Sequence, residues 1–315
     1  MKYVIVIPTI RERSIKNFLE KWNIIDFNNL IIIEDNPTKT FRFKENIRHY
    51  SWKEIDEELK DNAWIISRRC DTVRNFGFYL AYKENYDYVI TIDDDCIPIK
   101  ENESFDDFAK VHIDRLEKKL PRWVSTTKNI KPRGMPYHNL GEREVVVNVG
   151  LWKGNPDIDA PTQLVQGNDE GELNILEPIP PNYYFPMSGM NVSFKRKVIP
   201  LMYFPLMGLN YKYDRFSDIW CGIIAKKICD HLKLAIICGY PFVYHSRASN
   251  VWTNLKKETE GLHENEYFWQ MIDEIDLKYK SIKDCYLEIA ESIRGESDYY
   301  TKLAKAMEIW VDILK

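Results

Sequence analysis

The sequence predicts an α/β protein with a mostly parallel sheet and a helical C-terminal extension. Three observations predict it. Short apolar runs alternate with amphipathic stretches through the N-terminal third of the 315 residues. Polar and acidic residues follow those runs directly. From Glu264 onward the apolar residues recur only at helical spacing.

The elements follow in order. KYVIVIP (2–8) is an apolar run ending in Pro, as a strand buried on both faces would read. Ser14 is the expected cap of a helix carrying Ile15, Phe18, Leu19 and Trp22 on one face. LIIIEDNP (30–37) is a second strand, stopped by Asp-Asn-Pro, and AWIIS (63–67) is a third. Residues 71–84 set Val73, Phe76, Leu80 and Ala81 on one helical face. YVITIDDDC (88–96) is a fourth strand that runs into three carboxylates. The middle, 128–185, reads as long loops around short strands, the best being VVVNVGLW (145–152). A helix over 217–232, capped by Ser217, buries Trp220, Ile223, Ile224 and Ile228; LAIICGYPFVYH (234–245) is a further strand. Leu303, Met307, Trp310 and Leu314 repeat along a last helix, and the tail is either an appended subdomain or a homo-oligomer interface.

Composition excludes several functions. Hydrophobic residues at 44% against 29% charged fit a packed chain rather than a disordered one. A net charge of −4 lacks the basic excess of a nucleic-acid binder. No apolar run is long enough to cross a bilayer, so membrane insertion is not expected. YVIVIP (3–8) is too short for a signal-peptide core, so the expected compartment is cytoplasmic and the six cysteines, none in a C-x-x-C pair, are expected to be reduced.

In open α/β sheets the ligand sits at the carboxyl ends of the strands. Pro8-Thr9, Glu34-Asp35 and Asp93-Asp94-Asp95 all fall there. Adjacent carboxylates repel unless a cation compensates. Alternate side chains of an extended segment point the same way, so Asp93 and Asp95 are expected to share one ligand, and hard oxygen donors suit Mg²⁺ or Mn²⁺. The competing reading is a solvated acidic turn. His245, at another strand end, is a further candidate metal ligand or a structural histidine. Asp214 and Asp218 flank a helix start, where Asp218 either caps the helix or faces the sugar. Arg133, beside Gly134 and Pro136, sits on a constrained loop suited to phosphate recognition. Arg143, Arg69 and Arg74 carry the same choice between an anion site and a surface ion pair. Gly150 and Gly189 are candidate points of backbone approach to a ligand, and Trp152, Trp220 and Trp252 are candidates for sugar stacking or core packing.

These residues resemble a known family. PTIR (8–11), IEDN (33–36), VRNFGF (73–78), ITIDDDC (90–96), RGMPY (133–137), GLWKGNPDIDAPTQL (150–164), FPMSGMNVSF (185–194), DIWCG (218–222) and HSRASNVWTNLKKE (245–258) are similar, in order, to the plant reversibly glycosylated polypeptides, which are UDP-arabinopyranose mutases. The resemblance runs from about residue 3 to 260 and implies a glycosyltransferase-A-type fold over 1–260, leaving 261–315 as the helical extension. It implies that Asp93 and Asp95, with His245, hold Mn²⁺ or Mg²⁺ against the diphosphate of a UDP-sugar. It places Thr9, Arg11 and Asp35 around base and ribose. It makes Arg133 the reversibly glycosylated arginine, with Arg143 standing for a second family arginine at a longer spacing. The implied activity is a pyranose–furanose mutase acting on UDP-arabinose. The alternative is a retaining glycosyltransferase that uses a nucleotide-sugar donor and a separate acceptor.

Overall fold

The computed structural model describes residues 1–43, 46–101, 103–167, 171–247 and 249–315. Strand β1 (Tyr3–Thr9) pairs in parallel with β2 (Leu30–Glu34) on one side and β4 (Tyr88–Ile92) on the other; β3 (Arg48–Tyr50) adds in parallel outside β2. Beyond β4 the sheet becomes mixed. β8 (Asn191–Lys195) runs antiparallel between β4 and β7 (Glu142–Gly154). β9 (Ala235–His245) lies parallel to β7, and β5 (Cys96–Ile97) closes that edge antiparallel to β9. β6 (Lys119–Pro121) forms a hairpin with the start of β7. Reversing at β8 returns β7 and β9 to the direction of β1, β2, β3 and β4, so six carboxyl ends face one edge.

Alternation explains why these runs are strands. Val4 and Val6 of β1, with Ile31 and Ile33 of β2, enter the core on one face. Ile5 and Ile7, with Leu30 and Ile32, enter the core on the other. Both faces are covered, so both parities are apolar. On the second face lie α1 (Glu12–Lys21) and α4 (Phe105–Leu116), through Ile15, Phe18, Phe105 and Phe108. The first face holds α3 (Arg74–Lys83) and α6 (Ser217–His231). Gly77 of α3 lies so close to β1 that a Cβ there would stand 2.4 Å from Val6 Cγ1.

Some local expectations are corrected. Helix α1 starts before Ser14: its N-cap is Arg11, whose extended backbone leaves the side chain to the site described below. AWIIS is not a strand; Lys60–Ile65 is a 3₁₀ helix that follows α2 (Trp52–Leu59), and the third strand in chain order is β3, at the edge of the sheet. A short apolar run has the same burial in either conformation, so periodicity alone does not separate them. Ser217 lies inside α6 rather than capping it, its hydroxyl donating to Asp71 Oδ1 at 2.6 Å. The loop-rich middle contains a short helix, α5 (Ala160–Gln166), capped by Asp159.

The C-terminal helices α7 (Val251–Asp273), α8 (Ile282–Ile293) and α9 (Asp298–Ile313) pack on the first face. Residues 260 and 261, where the extension was expected to begin, are consecutive within α7. Phe268 stacks on Trp220 with ring centroids 4.3 Å apart, and Trp310 packs on Tyr203 at 5.4 Å. Leu303, Met307, Trp310 and Leu314 are all fully buried. All six cysteines are unpaired thiols, with only Cys70 partly exposed. Among the described residues no helix is long and apolar enough to cross a membrane.

Candidate active site

The carboxyl ends of β1, β2, β4, β7 and β9 deliver Thr9, Glu34-Asp35, Asp93-Asp94-Asp95, Gly154 and His245 to one edge. Register aligns them: Thr9 is level with Glu34, and Gly154 with His245.

The three adjacent aspartates have three different surroundings. Asp93 N–H is tied to Met190 O, and Cys96 N–H returns to Asp93 O at 3.1 Å. The segment is therefore a turn, and the alternation expected of an extended chain does not apply. Asp94 points inward and is 3% exposed; it accepts from Thr9 Oγ1 at 2.6 Å and from Arg11 Nη2 at 2.7 Å. Burial pushes its carboxyl up to about 6, against the pull of Arg11. Asp93 Oδ1 accepts from Arg74 Nη2 at 2.6 Å. Asp95 lies 3.5 Å from Arg11 Nη2 and 3.9 Å from His245 Nε2. Asp93 and Asp95 thus engage different partners. Among the described residues, no group of three His, Cys, Asp or Glu side chains is gathered closely enough to form a complete metal cage by itself.

The Asp95–His245 pair nevertheless has the chemistry of a cation site. His245 Nδ1 lies 2.8 Å from the carbonyl of Asn155. A carbonyl only accepts, so Nδ1 donates to it, and Nε2, which in the neutral ring carries the lone pair, faces the carboxylate. Two acceptors directed at each other, with the ring fixed through its other nitrogen, are what a shared divalent ion uses. Asn155 also donates its amide and side-chain N–H groups to His245 O, both at 3.1 Å, which fixes the strand end.

Arg11 Nε is buried with no hydrogen-bond partner, although the same guanidinium binds Asp94. Trp152 Nε1 is orphaned in the same way. A buried unpartnered donor costs about 1–3 kcal/mol, a cost that an anionic ligand at Arg11 removes.

Deeper in the site, Arg74 is 1% exposed and binds Thr91 Oγ1, the Asp71 carbonyl, the Gly189 carbonyl and Asp93. It is fully engaged by the protein and acts on Asp93 as a positioning residue. Around it the FPMSGMN loop and α6 assemble a second acidic group. Asp218 accepts from Gly189 N–H at 2.8 Å and Ile219 N–H at 2.9 Å, and Asp157 accepts from Ser188 Oγ at 2.6 Å. Burial first, then Asp71 and Asp157, pushes Asp218 up to about 8, so its carboxyl is protonated at neutral pH. The helix N-terminus favours a charged Asp218, and burial among like charges outweighs it. Asp214 pairs outward with Lys257 at 2.8 Å.

Asp35 is 4% exposed and accepts from Trp52 Nε1 at 2.7 Å and Arg69 N–H at 3.1 Å. The Arg69 guanidinium lies 5.1 Å from the centre of the Trp52 ring, forming one wall of the site. Trp52, Asp71 and Ser188 were not singled out in the sequence as site residues, and Asp94 was placed at its strand end without a role. For Trp52 and Ser188 there was no local signal.

Other candidates lie elsewhere. Trp220 is core, Trp152 is partly buried, and Trp252 is 61% exposed at the start of α7. Gly150 and Gly189 serve close packing: a Cβ would stand 2.2 Å from Asn191 Nδ2 at one and 2.9 Å from Phe204 at the other. Arg143 pairs with Leu120 in the β6–β7 hairpin, at the amino end of β7. Gly154, level with His245, lies at the other end of that 13-residue strand, roughly 35 Å away at about 3.3 Å per residue, and the strand that leads into Asp93 ends level with Gly150. Arg133 is exposed in the hairpin loop 122–141, beyond the same amino end. Within one chain, neither arginine is brought to the carboxylates.

The sheet, its strand-end carboxylates and its buried arginines define an α/β protein with a built-in site for a charged ligand. The model of the reversibly glycosylated polypeptide family matches residues 2–315, and the chain belongs to that family. UDP-arabinopyranose mutase 1 of Oryza sativa subsp. japonica is 36% identical over 334 residues, covering 98% of this chain and 89% of the relative. Probable UDP-arabinopyranose mutase 4 of Arabidopsis thaliana is 35% identical, with 98% and 89% covered. UDP-arabinopyranose mutase 1 of Arabidopsis thaliana is 34% identical, with 98% and 90% covered. The match includes the C-terminal helices, beyond the stretch over which sequence motifs carried the resemblance. Among solved structures, mouse xyloside xylosyltransferase 1 in its apo form is a distant likeness, with 10% identity, 62% of this chain and 68% of that chain covered, and a TM-score of 0.31.

Proposed function

We propose that this chain is a UDP-sugar mutase that interconverts the pyranose and furanose forms of UDP-arabinose. The observation that carries the reading is similarity along 98% of the chain to relatives named UDP-arabinopyranose mutase. The strand-end site supports it, because its donors suit a nucleotide diphosphate.

Asp95 and His245 would hold Mn²⁺ or Mg²⁺, with Asp93 turned toward Arg74. A divalent ion bound there supplies positive charge that makes the diphosphate a better leaving group. Arg11, through its unpartnered Nε, binds a phosphate oxygen. Thr9, Asp35, Trp52 and Arg69 form the side that receives base and ribose. Arg133 carries the sugar. The bond from the anomeric carbon to the β-phosphate oxygen breaks, its electron pair leaving with UDP. A guanidine nitrogen of Arg133 forms the new bond, and its proton passes to Asp157. On the carrier, the ring C–O bond opens as the nitrogen lone pair forms C=N and the ring oxygen takes a proton from Asp218. The 4-hydroxyl then adds to that carbon and returns a proton to Asp218. UDP displaces the arginine, which recovers its proton from Asp157. Because the open C=N form is planar at that carbon, the face on which the 4-hydroxyl closes, followed by the displacement by UDP, sets the anomeric configuration.

The test is incubation with UDP-arabinopyranose and Mn²⁺ without acceptor. The expected result is a UDP-arabinofuranose peak. UDP release alone, or transfer only to an added acceptor, would instead establish a retaining glycosyltransferase.

A further inference from the structure

We infer that Arg133 serves the carboxylate site of a second copy of this chain, so that the sugar carrier acts in trans. The inference rests on the reading of Arg133 as that carrier.

Reach is the first reason. The loop 122–141 leaves the sheet from the β6–β7 hairpin, whose last pair is Pro121–Glu142. From Glu142 to the site, β7 extends 13 residues, or about 40 Å. Arg133 precedes Glu142 by nine positions, and a fully extended chain of that length spans about 30 Å. The arm and its guanidinium cover that length only when pulled straight, and the turn that ties Met135 N–H to Pro132 O at 3.2 Å shortens them.

The arm's own character is the second reason. None of its residues is buried. Trp123, Val124, Ile130 and Tyr137 are 46%, 90%, 75% and 76% exposed. Its hydrogen bonds beyond the hairpin base are internal, linking Ser125 with Thr127, Thr127 with Ile130, and Lys131 with Tyr137. Gly134, at φ 99, completes a turn that presents Arg133 to solvent. Exposed apolar side chains on a projecting segment are an unpaid surface that a protein partner covers.

Charge is the third. The arm carries Arg122, Lys128, Lys131 and Arg133 and no Asp or Glu. The site edge carries Asp93 and Asp95, held beside Arg74 and Arg11, and the exposed Asp157. A basic arm and an acidic opening on the same chain are complementary between copies, and reciprocal insertion of two arms closes a two-fold dimer. The exchange in trans is the one balanced above: the bond to UDP breaks, the bond to Arg133 of the other copy forms, and the guanidine proton moves to Asp157 of the copy that holds the nucleotide.

The test mixes two inactive variants. Asp95→Asn keeps Arg133 but lacks the acidic site; Arg133→Lys keeps the site but lacks the carrier. With UDP-arabinopyranose and Mn²⁺, the peptide containing RGMPY (133–137) of the Asp95→Asn copy should gain one pentose mass only when the Arg133→Lys copy is present. His245→Gln replaces Asp95→Asn if the latter fails to fold. Wild type labelled on Arg133 while the mixture stays unlabelled would overturn the trans arrangement and leave the proposed function intact. Wild type with no label on Arg133 would overturn the carrier role itself, and this inference with it.

Discussion

Arg74 Nη2 lies 2.6 Å from Asp93 Oδ1, held there by a guanidinium that is 1% exposed. The same fork reaches Thr91, the Asp71 carbonyl and the Gly189 carbonyl. A planar group with five donors can do this, and a lysine or methionine cannot. Arg74→Met should cost at least about 2 kcal/mol, because several covered acceptors lose their partner. Urea unfolding measures it, and an unchanged midpoint would contradict the assignment.

His245 and Asp95 should act together on cation binding. Asp95→Asn removes charge and His245→Gln removes the imidazole, yet each preserves shape. Both are expected to weaken Mn²⁺-dependent binding of UDP, read by calorimetry with and without the ion, while circular dichroism stays unchanged. Cation dependence of normal size in both variants would remove the site from consideration.

Asp218 should make the protein less stable as pH rises. Its carboxyl is pushed up to about 8 in the fold and returns to its ordinary 3.8 when unfolded. Between those values the folded chain holds a proton that the unfolded chain releases. The contribution is therefore fully present below the unfolded value and lost as pH climbs through the folded one, by up to about 1.4 kcal/mol per pH unit. Asp94, at about 6, acts in the same direction over a narrower window. Asp218→Asn should gain on wild type as pH is raised from about 4 to about 8. Parallel stability curves for the two proteins would show that Asp218 does not titrate this way.

The C-terminal helices should not be removable. Trp310, Tyr286 and Leu303 are fully buried in the core shared with β1 and α3, and Tyr299 donates to the Leu206 carbonyl at 2.8 Å. Trp310→Ala should cost about 3–5 kcal/mol. Deletion of 282–315 should give aggregated or unfolded chain. A soluble, cooperatively melting 1–281 fragment would establish an independent subdomain instead.

Cys96 should tolerate alanine better than serine. Its side chain is fully buried, and burial pushes the thiol well up, so it is neither reactive nor a ligand for a hard ion. A serine hydroxyl there needs a partner that a thiol does not, at about 1–3 kcal/mol. Thermal melts of the two variants decide this, and metal binding should survive in both.

Much of the sheet is legible in the sequence because its cause is local. β1, β2 and β4 are short β-branched runs buried on both faces, and burial of a residue's own side chain is what periodicity records. The residues just past such runs must arrive at one edge once the strands are parallel, which is why Thr9, Asp35, Asp93 and His245 could be named together. AWIIS was misread for the same reason: its apolarity fixes burial and leaves the conformation open.

What the tertiary structure alone decided is the orientation and partner of each charged group. Asp94 turns inward because Thr9 and Arg11, more than eighty positions earlier, meet it. Asp71, Asp157 and Asp218 come from three separate segments, and no spacing in the chain encodes how the first two raise the carboxyl of the third. The gap between Arg133 and the carboxylates is likewise a matter of strand direction. β7 carries the arm at its amino end and the site at its carboxyl end, and only the register of the sheet shows that one chain keeps them apart.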